Sequence, residues 1–166
     1  MARAKSWMLQ SVLVMRRDGF TFTEIIVVLG IISILAGIAI PNWNTLLPNY
    51  ALKSAARQVQ SEVHRIKSRA VAENTNFRLK FADTTSTSYT TERYSGGSYQ
   101  ATGENKPLPE GITLASTSDT ILGFNSRGMS LDSGSEKTVR LCNIKKGGKN
   151  VVLSELGRVR IDDASC

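Results

Sequence analysis

Gly19-Phe20-Thr21-Phe22-Thr23-Glu24-Ile25-Ile26-Val27-Val28-Leu29-Gly30-Ile31-Ile32-Ser33-Ile34-Leu35-Ala36-Gly37-Ile38-Ala39-Ile40-Pro41 is the longest apolar run of the sequence. From Phe20 to Ile40 it runs 21 residues with one formal charge, Glu24. At about 1.5 Å per residue, a helix of that length matches a bilayer core of roughly 30 Å. The segment is expected to span a membrane. Arg16 and Arg17 precede it, which by the positive-inside bias holds the N-terminus in the cytoplasm and sends everything after Pro41 across. A secretory signal peptide is the first alternative, but its apolar region is about 7 to 15 residues and ends at a small-residue cleavage site. This run is longer and carries its acid inside. An uncleaved anchor helix is the second.

Glu24 is the informative residue, because a carboxylate near the start of an apolar span costs about 2.5 to 3.5 kcal/mol even on lenient insertion scales. Such a residue needs a partner. Basic residues, then Gly-Phe-Thr-Phe-Thr-Glu, then an unbroken apolar helix with Pro41 at its end, resemble the N-terminus of type IV pilins and type II secretion pseudopilins. The resemblance implies that a prepilin peptidase cuts between Gly19 and Phe20 and methylates the Phe20 amine. It implies that Glu24, fifth in the mature chain, meets the Phe20 amino group of a neighbouring subunit. Other pilins or pseudopilins in a fibre, the peptidase and the inner membrane are then the partners, with the head in the periplasm before assembly. Met15-Arg16-Arg17-Asp18-Gly19 alone makes a complete short leader, which points to Met15 as a start site.

Removing Met1 to Gly19 leaves 147 of the 166 residues, about 126 of them beyond Ile40, enough for one small head. The expected organisation is a leader over 1–19, a membrane or fibre-core helix over 20–41, an amphipathic helix over 42–74 and a β-rich head with a basic C-terminal tail over 75–166. Leu52, Ala56, Val59, Val63, Ile66 and Ala70 recur at spacings of three and four, while Lys53, Arg57, Gln60 and Lys67 lie elsewhere on the wheel. One stripe faces a core. Pro41 and Pro48 are expected to kink or loosen the helix.

After Asn74 the period falls to two: Phe77, Leu79 and Phe81 alternate with Arg78 and Lys80 as a half-buried strand. Ser86 to Tyr99 reads as a hairpin around Gly96-Gly97, and Lys106 to Gly111 as a loop. Strands are expected at 112–114, 121–124, 138–142, 151–154 and 158–161, with turns at Asn125-Ser126-Arg127-Gly128, Asp132-Ser133-Gly134 and Lys146-Gly147-Gly148. A long N-terminal helix followed by antiparallel strands makes an α+β architecture. Phe124 to Gly128 with this strand series also resembles the GspH/FimT branch of minor pilins and pseudopilins.

Catalysis has little to stand on. No Ser-His-Asp grouping, clustered metal ligands or phosphate loop occurs in the sequence, and Gly147-Gly148-Lys149 has the wrong spacing. No cofactor or metal is expected, His64 has no second candidate ligand beside it, and Asp162-Asp163 reads as a solvated pair. Charge says more. Lys137, Arg140, Lys145, Lys146, Lys149, Arg158 and Arg160 stand against Glu155 alone, so this window carries +6 of a chain total of +7. A basic field of this kind attracts polyanions and binds phosphates without reading sequence. With no aromatic residue in the window for base stacking, duplex DNA fits better than single strands. A solvated face, or one meeting anionic lipid or an acidic subunit, is the alternative.

Gly157-Arg158-Val159-Arg160 resembles the Gly-Arg-x-Arg motif near the C-terminus of DNA-binding minor pilins of the FimT type, which act in natural transformation. Glycine permits an exposed turn, and arginines two apart on an extended segment point the same way. The expected double-stranded DNA site is therefore Gly157, Arg158 and Arg160 with Lys145, Lys146 and Lys149 in support. The competing expectation is a minor pilin or type II secretion pseudopilin that primes fibre assembly without DNA. Cys142 and Cys166, both beyond the membrane in an oxidising compartment, are expected to pair and to hold these arginines in place.

Overall fold

A computed structural model describes residues 19–132 and 134–166, without the side chains of residues 39–45. It contains two compact units, the chain up to Pro41 and Asn42–Cys166. A helix, α1, covers Phe22–Ala72, and both Pro41 and Pro48 lie within its helical backbone. Thr21 caps its start: the Glu24 N–H donates to Thr21 Oγ1 at 3.2 Å, in the spacing of a capping box. An acid in the first turn also faces the positive end of the helix dipole. Described side chains from Phe20 to Ile38 are exposed, and among the described residues no helix is long and apolar enough to cross a membrane. The expected membrane span thus rests on the sequence alone.

In the second unit the helix stripe behaves as its periodicity predicts. Leu52, Ala55, Ala56, Val59, Val63, Ile66 and Ala70 are all buried. The helix ends where Asn74 turns to φ +48° and the Thr75 N–H reaches back to the Ala70 carbonyl at 3.1 Å, a left-handed cap of the kind asparagine tolerates. His64 is exposed.

Nine strands follow among the described residues: β1 Phe77–Phe81, β2 Ser88–Ser95, β3 Ser98–Ala101, β4 Lys106–Pro107, β5 Ile112–Leu114, β6 Ile121–Phe124, β7 Lys137–Asn143, β8 Gly147–Leu153 and β9 Val159–Ser165. All pair antiparallel, as the α+β reading expects, in two sheets: β3-β2-β1-β6 with β4 on β2, and β5-β7-β8-β9. Phe77, Leu79, Phe81, Leu122 and Phe124 of the first sheet and Leu114, Val139, Leu141, Val151 and Leu153 of the second join the helix stripe in one core. Every residue of that core lies at Leu52 or later, so a fragment from Asn42 keeps all of it.

Two boundaries differ from expectation, each for a local reason. Gly96 and Gly97 do form the β2–β3 turn, both at positive φ as a two-residue hairpin requires. Lys146-Gly147-Gly148 is not the β7–β8 turn. Residues 144–146 turn instead, with Lys146 at φ +61° and the Asn143 side-chain oxygen accepting from the Lys145 and Gly147 N–H groups at 2.9 Å each. Both glycines then belong to β8. At the other end the expected C-terminal tail is an edge strand, since β9 continues to Ser165.

Candidate functional site

The register across β7, β8 and β9 sorts the basic residues by face. Directly opposed residues share a face, so Thr138, Val152 and Arg160 form one row and Arg140, Asn150 and Asp162 the next. Val139, Val151 and Ile161 form a row on the other face, turned to the core. Val159 also packs inward, so Arg158 and Arg160 on either side of it share the outer face, as their spacing predicts.

The lysines do not join them. Lys149 stands in the inner-face row of Leu141 and Asp163 and is ion-paired with Asp163. Lys145 and Lys146 are exposed in the β7–β8 turn, whose strand neighbour Gly147 opposes Ser165. At about 3.4 Å per residue along β9, that turn lies roughly 20 Å from the arginines. The basic residue that does share the outer face is Arg140, whose Nε donates to Asn150 Oδ1 at 3.0 Å.

Gly157 departs from its expected role as well. It is buried, and an added Cβ would stand 2.1 Å from the Gly128 carbonyl oxygen. Its φ of +77° and this close approach both exclude a side chain. Lys67 of α1 donates through Nζ to the Gly157 carbonyl at 2.9 Å. The turn is closed by the Gly157 N–H on the Ser154 carbonyl at 2.9 Å and the Arg158 N–H on Ser154 Oγ at 3.1 Å. The turn Asn125 to Gly128 therefore meets the turn before β9, and helix, loop and strand fix where the arginines begin.

An open cleft of about 460 Å³ lies beside them, lined by Gly134, Ser135, Glu136, Ser154, Arg158 and Arg160 among others. Arg158 is exposed, and its guanidinium makes no ion pair among the described residues. Arg160 is engaged. Its Nη1 and Nη2 donate to the two Glu136 oxygens at 2.8 and 2.9 Å, and its Nε to Asp162 Oδ2 at 2.9 Å. Hydrogen bonding from Arg160 holds the Glu136 carboxyl below its usual range, while Glu136 and then Asp162 push the guanidinium pKa further up. Glu136 carries no signal in the sequence. Asp162 does, being two residues beyond Arg160 on the same face of a strand.

The two cysteines form a disulfide, with Cα atoms 6.0 Å apart. It passes over Gly148, which lies in the row between Cys142 and Ala164, and a Cβ there would stand 2.9 Å from Cys166 Sγ. The bond pins the last residue beyond β9, at the opposite end from Arg158 and Arg160. It lies away from the arginines it was expected to hold: Lys67 and Ser154 fix the turn at Gly157 and Arg158, and Glu136 and Asp162 hold the Arg160 guanidinium. Among the described residues no group of three or more His, Cys, Asp or Glu side chains is placed to hold a metal ion.

Residues 14–40 match the family of the prokaryotic N-terminal methylation motif. No curated protein sequence matches the chain as a relative. Among solved structures it is similar to the type IV minor pilin FimU of Pseudomonas aeruginosa PAO1 in two crystal forms. In the first, identity is 19%, coverage 71% of this chain and 96% of FimU, and the TM-score 0.59. In the second these are 21%, 69%, 99% and 0.57. It is also similar to the minor pseudopilin EpsH of the Vibrio cholerae type 2 secretion system, at 15% identity, 68% and 96% coverage and a TM-score of 0.54. A methylation motif leading into a long helix, with the minor-pilin α+β fold beyond it, makes this chain pilin-like in both motif and architecture.

Proposed function

We propose that the chain is a minor subunit of a type IV pilus-like fibre, cut by a prepilin peptidase between Gly19 and Phe20, N-methylated on Phe20 and held in the inner membrane by Phe20 to Ile40 before assembly. In the fibre, Glu24 takes the Phe20 amine of a neighbouring subunit. The head binds double-stranded DNA by its backbone, without sequence preference, and serves DNA uptake in natural transformation. What supports this is the outward face at the start of β9: Arg158, just before the strand, is exposed beside an open cleft and makes no ion pair among the described residues, with Arg160 of β9 and Arg140 of β7 on the same face. Lys145, Lys146 and Lys149 add only to the long-range field.

Titration of a labelled duplex with the mature chain in neutral detergent, at several salt concentrations, tests this. Arg158→Ala is expected to lower the log–log salt slope by about 0.9, one phosphate contact. Unchanged slope and affinity in a folded Arg158→Ala variant sink the DNA reading.

A second reading has its own observation. Leu156, beside Arg158, is 71% exposed, and an exposed leucine at the mouth of a charged cleft suits a neighbouring subunit better than a polyanion. FimU is a minor pilin and EpsH a minor pseudopilin of secretion, and in this reading the cleft contacts another subunit and primes assembly. Leu156→Asp would then abolish assembly while leaving duplex affinity in solution unmoved.

A further inference from the structure

The two arginines of the outward row are in unlike states. Arg158 offers an open guanidinium, whereas Arg160 spends all three of its nitrogens on carboxylates of the protein itself. The Nη1–Nη2 edge, one of the two that can take a phosphate bidentately, is the edge that Glu136 occupies, and Glu136 also holds the Nη2 that the other edge needs. Asp162 holds only Nε. Glu136 comes from the loop before β7, 24 residues away in sequence, and brings its carboxylate into the same cleft onto which Arg158 opens. An intramolecular partner of ideal geometry loses no translational freedom on binding, so a single phosphate competes with it at a disadvantage.

We propose that Glu136 is a specificity-determining residue of this face: it occupies Arg160 so that a polyanion meets Arg158 alone, and removing its charge turns the row into a two-arginine grip. The inference rests on the DNA reading only for the choice of polyanion. Glu136 thus sets affinity low by design of the free surface. Both side chains are about half exposed, so the released guanidinium edge is reachable without any change of backbone.

The test compares wild type, Glu136→Gln, Glu155→Gln and the double variant Glu136→Gln with Arg160→Ala, each as the mature chain in neutral detergent against a labelled duplex. Glu136→Gln is expected to steepen the salt slope by about 0.9, which at 0.1 M monovalent salt is roughly an eightfold gain in affinity. Glu155→Gln makes the same change of charge in the same cleft without touching Arg160, and is expected to leave the slope where it was. Arg160→Ala is expected to erase the gain. An unchanged slope in Glu136→Gln, an equal gain in Glu155→Gln, or a gain that survives Arg160→Ala overturns the proposal. If no variant binds duplex even at low salt, the DNA reading fails, and calorimetric titration with inorganic tripolyphosphate decides the latch separately. Tighter tripolyphosphate binding by Glu136→Gln than by wild type upholds it, and equal or absent binding overturns it.

Discussion

The backbone of Gly157 touches that of Gly128: a methyl group placed on Gly157 would lie 2.1 Å from the Gly128 carbonyl oxygen and 3.3 Å from Lys67 Nζ. Neither neighbour yields easily, because Gly128 is itself at φ +76° and Lys67 is anchored on the Gly157 carbonyl. Gly157→Ala is therefore expected to destabilise the head by about 2 to 4 kcal/mol, combining a left-handed backbone penalty with displacement of the turn. Lys67→Met, which removes one hydrogen bond and keeps most of the packing, is expected to cost only about 1 kcal/mol. Urea unfolding of the Asn42–Cys166 fragment measures both. A Gly157→Ala variant within 0.5 kcal/mol of wild type, allowing about that for a neutral surface change, would show that the turn has another way to close.

Glu62 makes stability depend on pH. It is buried on the helix and accepts from Arg65 Nε at 2.9 Å, Lys106 Nζ at 3.0 Å and Thr91 Oγ1 at 3.1 Å. Burial alone pushes its carboxyl up, but the bonds from Arg65 and Lys106, then Thr91, outweigh this and hold it below the ordinary value of 4.5. A folded pKa below the unfolded one stabilises above the unfolded value and is lost as pH falls through the folded one. The head should hold its stability from neutral pH down to about 4.5 and lose part of it below. Glu62→Gln should flatten that acid limb and cost about 1 to 3 kcal/mol at pH 7, because Arg65 and Lys106 are half exposed and can rehydrate. Chemical unfolding at pH 7 and pH 3.5 gives both numbers. An acid limb as steep in Glu62→Gln as in wild type would refute the assignment.

Much of this head is legible from local pattern. The three-and-four spacing from Leu52 to Ala70 and the alternation of Phe77, Leu79 and Phe81 name the buried faces because burial imposes those periods. What is not legible depends on pairing between distant segments. Nothing around Lys149 says that it shares a row with Leu141 and Asp163 rather than with Arg160; only the β8–β9 register does. Gly147 and Gly148 read as a turn because glycine is common in turns. They are in a strand because Asn143 crowds one and the disulfide crosses the other. Glu136 is equally silent, since its partner comes from 24 residues away. Asp162 differs: two residues beyond Arg160 on one strand face, it reads as solvated from its pairing with Asp163 yet holds the Arg160 Nε.

The disulfide and Gly148 form one device. Its cysteines are 24 positions apart, and a crosslink closing such a loop stabilises by roughly 3 to 4 kcal/mol on the chain-entropy model. Reduction should lower stability by about that amount while the head, whose main core cluster includes neither cysteine, stays folded. Gly148→Val places a side chain where Cys166 Sγ sits and is expected to leave part of the protein with two titratable thiols. Thiol counting before and after unfolding measures this. A fully oxidised Gly148→Val variant of unchanged stability would show that the bridge does not depend on the missing side chain.

Processing is the last test, and the N-terminal geometry bears on it. Gly19 and Phe20 are exposed and outside regular structure, and Thr21 caps a helix that begins at Phe22. A peptidase needs an extended, accessible bond of that kind, since a helical backbone hides its carbonyls in its own hydrogen bonds. Gly19→Leu should therefore leave a full-length precursor in the membrane, because a side chain is added where the backbone must enter the enzyme. Glu24→Ala should still be cut, as it lies beyond the cap, but should assemble poorly for want of a partner to the Phe20 amine. Mass spectrometry of protein from its native host reads cleavage and methylation together, and sedimentation of sheared fibres reads assembly. A mature N-terminus at any residue other than Phe20, or fibres of Glu24→Ala as abundant as those of wild type, would remove the assembly mechanism proposed for this chain.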